Sequence, residues 1–122
     1  MEQRNIIEWS EYSGYTELTI PSGEIWMSES ELVDLFGVFI PKLRNAIKAL
    51  YKEEPIKPYE AERTFKKKDN LYVIVYNMEV VLLLAFRLNS YQARAVRREL
   101  MERITRSHKP FEVILTATGR GN

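Results

Sequence analysis

The stretch SESELVDLFGVFIPKLRNAIKALY, residues 28–51, decides the fold. Ser28 precedes Glu31 by three, the capping-box spacing in which hydroxyl and carboxylate each satisfy a backbone N–H that a helix start leaves unpaired. Leu32, Leu35 and Phe36 follow at i, i+3, i+4 spacing and predict one apolar face. Gly37 closes this helix, because it adopts the left-handed conformation without a Cβ penalty. Pro41 suits a first helical position, and Leu43, Ala46, Ile47 and Leu50 recur at the 3.6-residue period, so a second helix begins there. Two short helices about a glycine, with Leu32, Phe36, Val38, Leu43 and Ala46 as shared interior, match the helix-turn-helix pattern. Many αα-hairpins that bind nothing share it.

The polar side of the second helix carries Lys42, Arg44, Asn45, Lys48 and Lys52, residue types that reach phosphates and base edges. Phe39, Ile40 and Pro41 stand at its start, where base-reading side chains are usually polar. They fit packing on a wing or a partner subunit, or contact with thymine methyls. Phe39, Ile40 and Tyr51 also make a candidate protein-contact patch.

Upstream, residues 6–9 and 16–20 are short β-prone runs followed by the turn residues Ser13-Gly14 and Pro21-Ser22-Gly23, which predicts a small N-terminal antiparallel sheet with residues 24–27 as a third strand. Downstream, Pro55 and Pro58 end the helical pattern, and residues 59–65 and 71–76 read as strands joined by Lys66-Lys67-Lys68-Asp69-Asn70. A hairpin with a basic tip behind a helix-turn-helix is the layout of a winged helix. Asn77 is a good N-cap for a helix over 78–88, apolar almost all round and so expected to be buried on more than one side. Residues 80–86 alone would also suit a buried strand. Ser90 caps a last helix to about residue 105, with Ala93, Val96, Leu100 and Ile104 inward and Arg94, Arg97, Arg98 and Arg103 outward. Arg98 with Glu102, Glu99 with Arg103 and Glu102 with Arg106 have i, i+4 spacing, whereas Arg94 and Arg97 lack an acid there and join the DNA-contact candidates. Residues 1–110 read as one winged-helix-like domain, and 111–122 as an edge strand and a tail.

Charge is divided along the chain. Net charge is +1 over 122 residues, but residues 1–40 hold 8 acids and 1 base, a balance of −7, leaving 9 acids and 17 bases, +8, in the remainder. Such a split suits one face built to meet a polyanion, although charge segregated in sequence can still mix in space. The absence of cysteine excludes thiol catalysis, disulfides, thiolate zinc sites and Fe–S clusters. The longest apolar run, residues 80–86, falls far short of the roughly 20 residues of a membrane span. Glu2, Glu8, Glu11 and Glu17 occupy what would be apolar in a signal peptide, so a cytoplasmic protein is expected.

Catalysis has little to stand on. His108 is the single histidine, so a histidine metal site or Ser-His-Asp triad has only that residue to build around. Glu53-Glu54 and the pair Glu60 and Glu62 read as solvated carboxylates, and neither a P-loop nor a G-x-G-x-x-G is present. A non-enzyme without cofactor or metal is expected.

Trp26-Met27-Ser28, Leu32-Val33-Asp34-Leu35-Phe36-Gly37, Tyr76-Asn77-Met78-Glu79 and Arg87-Leu88-Asn89-Ser90, in this order, make the chain resemble the RhuM family of virulence-associated proteins over about residues 6–104, and more distantly the N-terminal domains of phage antirepressors. The family pattern has Asp where Glu79 stands, Gly-Tyr at Ala85-Phe86, and Trp at Glu99. The resemblance implies a bacterial or mobile-element protein whose helix-turn-helix binds DNA. Together these readings give an α+β winged-helix-like regulator of double-stranded DNA, acting as a homodimer, with Arg44, Asn45 and Lys48 toward the major groove and Lys66, Lys67 and Lys68 on the flanking backbone. The alternative is an antirepressor-like protein-interaction module.

Overall fold

The computed structural model describes residues 4–12 and 14–107. The chain is an α+β protein with, among these residues, five helices, a two-stranded and a three-stranded antiparallel sheet. Strand β1 (Glu8–Tyr12) pairs with β2 (Tyr15–Thr19). Strand β3 (Trp26–Ser28) leads into helices α1 (Glu29–Phe36) and α2 (Ile40–Glu53). A single turn, α3 (Pro58–Ala61), precedes strands β4 (Glu62–Lys66) and β5 (Tyr72–Asn77), and helices α4 (Met78–Arg87) and α5 (Tyr91–Ser107) follow.

The helix starts are chemically specified. Glu31 N–H donates to Ser28 Oγ and Ser28 N–H to the Glu31 carboxylate, the complete capping box. Asn77 Oδ1 accepts from Val80 N–H, and Ser90 Oγ from Ala93 N–H. α2 has no side-chain cap and relies on Pro41 in its first turn. Gly37 ends α1 at φ 61, ψ 43, its N–H donating to Val33 O. A Cβ there would lie 2.5 Å from the Gln92 side chain of α5. Gly37→Ala is therefore expected to cost about 1–2 kcal/mol of left-handed strain, the amide of Gln92 swinging aside, and to lower the urea midpoint accordingly.

One core fills the space between the helices and one face of the three-stranded sheet. Met27, Leu32, Phe36, Leu43, Leu50, Val80, Leu84 and Val96 are fully buried in it. Leu18 belongs to the same core, and Trp9 Nε1 donates to Leu35 O at 2.9 Å, so the β1–β2 hairpin is fastened to the end of α1.

Two elements differ from the sequence expectation. Residues 24–27 do not extend the N-terminal sheet: β3 pairs with β5 in the sheet order β3-β5-β4, with Met27 opposite Tyr76. This register puts both side chains on the helix side, which buries them. Nor does a strand run from Tyr59. Pro58 opens a helical turn in which Glu60 and Ala61 N–H donate to Lys57 O, burying Ala61, and the strand starts only at Glu62. Residues 80–86 are helical.

The far side of the sheet carries the N-terminal segment. Arg4 makes two 2.7 Å bonds to the Glu31 carboxylate, donates to Trp26 O, and lies 4.5 Å over the Phe65 ring. Burial works against the charge on Glu31, but Arg4 and the Ser28 N–H outweigh it and hold its carboxyl below the usual range. Arg63 stacks 4.0 Å over Trp26.

Candidate nucleic-acid interface

α2 presents its cations because its apolar residues are spent inward. Leu43, Ala46, Ile47 and Leu50 are buried, which turns Lys42, Arg44, Asn45, Lys48 and Lys52 to solvent. The hairpin is joined to this helix at its base. Tyr51 Oη donates to Glu62 Oε2 at 2.7 Å, linking the last turns of α2 to the first residue of β4. Burial, then this bond, pushes the Tyr51 hydroxyl well above its ordinary value, so it remains a donor. Tyr51, expected on an open apolar patch, is instead half-buried in this joint.

Register then tells which residues share the hairpin face that bears Glu62. Glu62 is opposite Tyr76, Thr64 opposite Ile74 and Lys66 opposite Tyr72. Strand alternation places these six on the face that packs against the helices. Tyr76 is covered by the body, whereas Thr64, Lys66, Ile74 and Tyr72 project past it and are exposed, Tyr72 by 64%. α2 and the hairpin thus meet in a corner at the Tyr51–Glu62 joint, and the outer half of the hairpin stands exposed beyond it. Sequence reasoning does not single out Thr64, Tyr72 and Ile74, because the apolar run of β5 suggests burial along its whole length; the polar alternation at Thr64 and Lys66 is the available signal.

Lys66, Lys67 and Lys68 are all exposed at the tip. The turn that carries them is fixed by other groups: Lys67 N–H donates to Leu71 O at 2.8 Å, Asn70 N–H to Lys67 O at 3.0 Å, and Leu71 N–H to the Asp69 carboxylate. Asn70 takes the left-handed conformation, φ 68, that this turn requires.

No family model, no curated protein and no solved structure matches this chain.

Arg44 has a partner that spacing did not reveal. Its Nε and Nη2 donate to the two oxygens of Glu29 at 2.8 and 2.9 Å. The paired guanidinium holds the Glu29 carboxyl below its usual range. An anion approaching Arg44 competes with that carboxylate for the guanidinium. Glu29→Gln is expected to leave Arg44 free, so that duplex affinity rises and the log–log salt slope steepens by about 0.9, one more phosphate neutralised; anisotropy titrations of both proteins against one duplex check this.

The α5 arginines divide. Arg97 turns inward, Nη1 donating to the carbonyls of Ala85 and Leu88, and so caps the C-terminus of α4 rather than facing solvent as its helical position predicted. Arg103 likewise reaches Leu18 O on β2. Arg94 is exposed and donates to Asn89 O. Glu99 pairs with Arg103 and Glu102 with Arg106, while the expected Arg98–Glu102 pair does not form. Ile104, expected inward, is half exposed because α5 outruns the core.

Phe39, the N-cap residue of α2, is 85% exposed, and Ile40 beside it is partly so. Among the described residues no group of three metal-ligating side chains gathers, and no helix is long and apolar enough to cross a membrane. His108, the strand expected over 111–116 and the tail lie outside the described residues.

Proposed function

We propose that this chain binds double-stranded DNA as a winged-helix-type regulator, with α2 entering the major groove and the β4–β5 hairpin lying along the flanking backbone. The order β3, α1, α2, the single turn α3, β4 and β5, with the sheet order β3-β5-β4, supports the winged reading. The observation that carries the function is the corner itself. The Tyr51–Glu62 bond joins α2 to the base of the hairpin, and the strand register leaves Thr64, Lys66, Tyr72 and Ile74 exposed on the hairpin face that bears Glu62. Asn45 and Lys48 are the base-edge and phosphate donors of the helix, and Lys66, Lys67 and Lys68 neutralise phosphates on the adjacent backbone. On this reading the chain is a RhuM-like regulator in a bacterial or mobile-element setting, acting in the cytoplasm as a homodimer.

The test is titration of duplex DNA at several salt concentrations. Binding whose log affinity falls linearly with log salt, at about 0.9 per neutralised phosphate, supports the proposal. Failure to bind at about 50 mM salt, where the electrostatic contribution is large, returns the chain to the second reading, a protein-interaction module. The exposure of Phe39 and Ile40 at the tip of the helix-turn-helix favours that reading, since apolar anchors are what such surfaces present.

A further inference from the structure

α4 and α5 form a hairpin, and its outer side is apolar. Val80, Val81, Leu84 and Ala85 are buried, and Arg87 pairs with Glu53 at the end of α2, which fixes the α2 side of α4. At 100° per residue Leu82 and Phe86 then lie on the outward and α5-facing side. On α5, Ala93, Val96 and Leu100 are buried, and Arg97 reaches the carbonyls of Ala85 and Leu88, which marks the side of α5 that borders α4. Met101 is one turn beyond Arg97 on that same side, next to Leu82 in an antiparallel pair. Phe86 and Met101 are each 53% exposed. Leu82, Phe86, Met101 and Ile104 thus form one strip along the groove between the helices.

The charges at its two ends are opposite. Glu79 stands in the first turn of α4; Arg94 and Arg98 stand exposed in the first half of α5, beside the other end of α4. Among the described residues none of the three has a salt-bridge partner.

We propose that this strip is a self-association surface whose occupant is the same strip of a second copy, packed antiparallel about a two-fold axis. A two-fold operation reverses the strip end for end, so Glu79 of each copy meets Arg94 of the other while Leu82, Phe86 and Met101 cover one another. A single-signed strip would repel its own copy in that arrangement, whereas this one pairs with itself at both ends.

Sedimentation of the full chain across micromolar to submillimolar concentration reads the outcome. A dimer is expected. Phe86→Glu with Met101→Glu should be monomeric while keeping the helical circular dichroism of the parent, and Phe39→Glu should remain dimeric. Glu79→Arg and Arg94→Glu should each weaken the dimer by about tenfold or more, and the double reversal should restore it, the coupling expected of a direct pair. A monomer at every concentration overturns the proposal and gives the strip to the chain's own residues 108–122 or to a different protein. A dimer indifferent to Phe86→Glu with Met101→Glu, or reversals that do not compensate, overturns it as well. No DNA enters these measurements, so their failure leaves the proposed DNA contacts of α2 and the β4–β5 hairpin standing and removes only the homodimer from that reading.

Discussion

Alanine at Lys66, Lys67 and Lys68 together is expected to flatten the salt dependence of duplex binding by about 2.7 in the log–log slope, at about 0.9 for each phosphate no longer neutralised. Over a fourfold rise in salt, from about 50 to about 200 mM, a slope difference of that size changes the relative affinity of parent and variant by roughly 40-fold. The folded protein should be indifferent to the change. The turn is held by Lys67 N–H on Leu71 O, Asn70 N–H on Lys67 O and the Asp69 carboxylate on Leu71 N–H, none of which uses a lysine side chain. Thermal melting of the variant should therefore match the parent, which separates a weaker grip on phosphate from an unravelled wing. An unchanged slope with an unchanged melting curve would mean that the wing tip touches no backbone, and the corner would have to be reassigned. The comparison is sharpest against Glu29→Gln, which moves the slope in the opposite direction through one residue of α2.

How far sequence alone reaches differs between the two halves of this site. Helix boundaries were legible wherever a cap acts locally: the side chains of Ser28, Glu31, Asn77 and Ser90 and the left-handed backbone of Gly37 all work within four residues, and all appear where spacing put them. The basic tip was legible for the same reason, since a polar run between two β-prone segments is a local pattern. Sheet membership was not. Whether residues 24–27 join the N-terminal hairpin or β5 depends on a partner about 50 positions away, and the two arrangements make the same local demands. The short turn at Pro58 escaped because Tyr59 and Phe65 suit a strand, while burial of Ala61, a tertiary gain, decided otherwise. Partners of the long cations were least legible. Arg44 with Glu29 spans 15 positions, and Arg97 uses backbone carbonyls, acceptors that every residue offers and that no spacing rule singles out.

Phe36→Ala is expected to cost about 3–5 kcal/mol, since a fully buried aromatic ring is removed from a core that closes only partly over the space. Against the 5–15 kcal/mol typical of a folded domain, about a fifth of the stability or more goes with one side chain. The position makes the result informative beyond its size. Phe36 is the last residue of α1, its carbonyl accepts the Ser90 hydroxyl, and the next residue lies against Gln92 of α5. The α1–α2 pair and the α4–α5 hairpin therefore share this part of the core, and α4 starts directly from β5 with no linker. Urea unfolding followed by tryptophan fluorescence and by far-ultraviolet circular dichroism should show one transition, shifted equally in both signals with the same m value. Trp9 reports on the N-terminal hairpin and Trp26 on the three-stranded sheet, whereas helix content is dominated by α2, α4 and α5. A fluorescence midpoint that falls while the helical signal keeps its own would show that the C-terminal pair folds independently. For DNA binding the variant supplies the control that the wing lysines need: its apparent affinity drops only with the folded fraction, and the salt slope of what remains folded stays at the parent value, because no cation of the corner has moved.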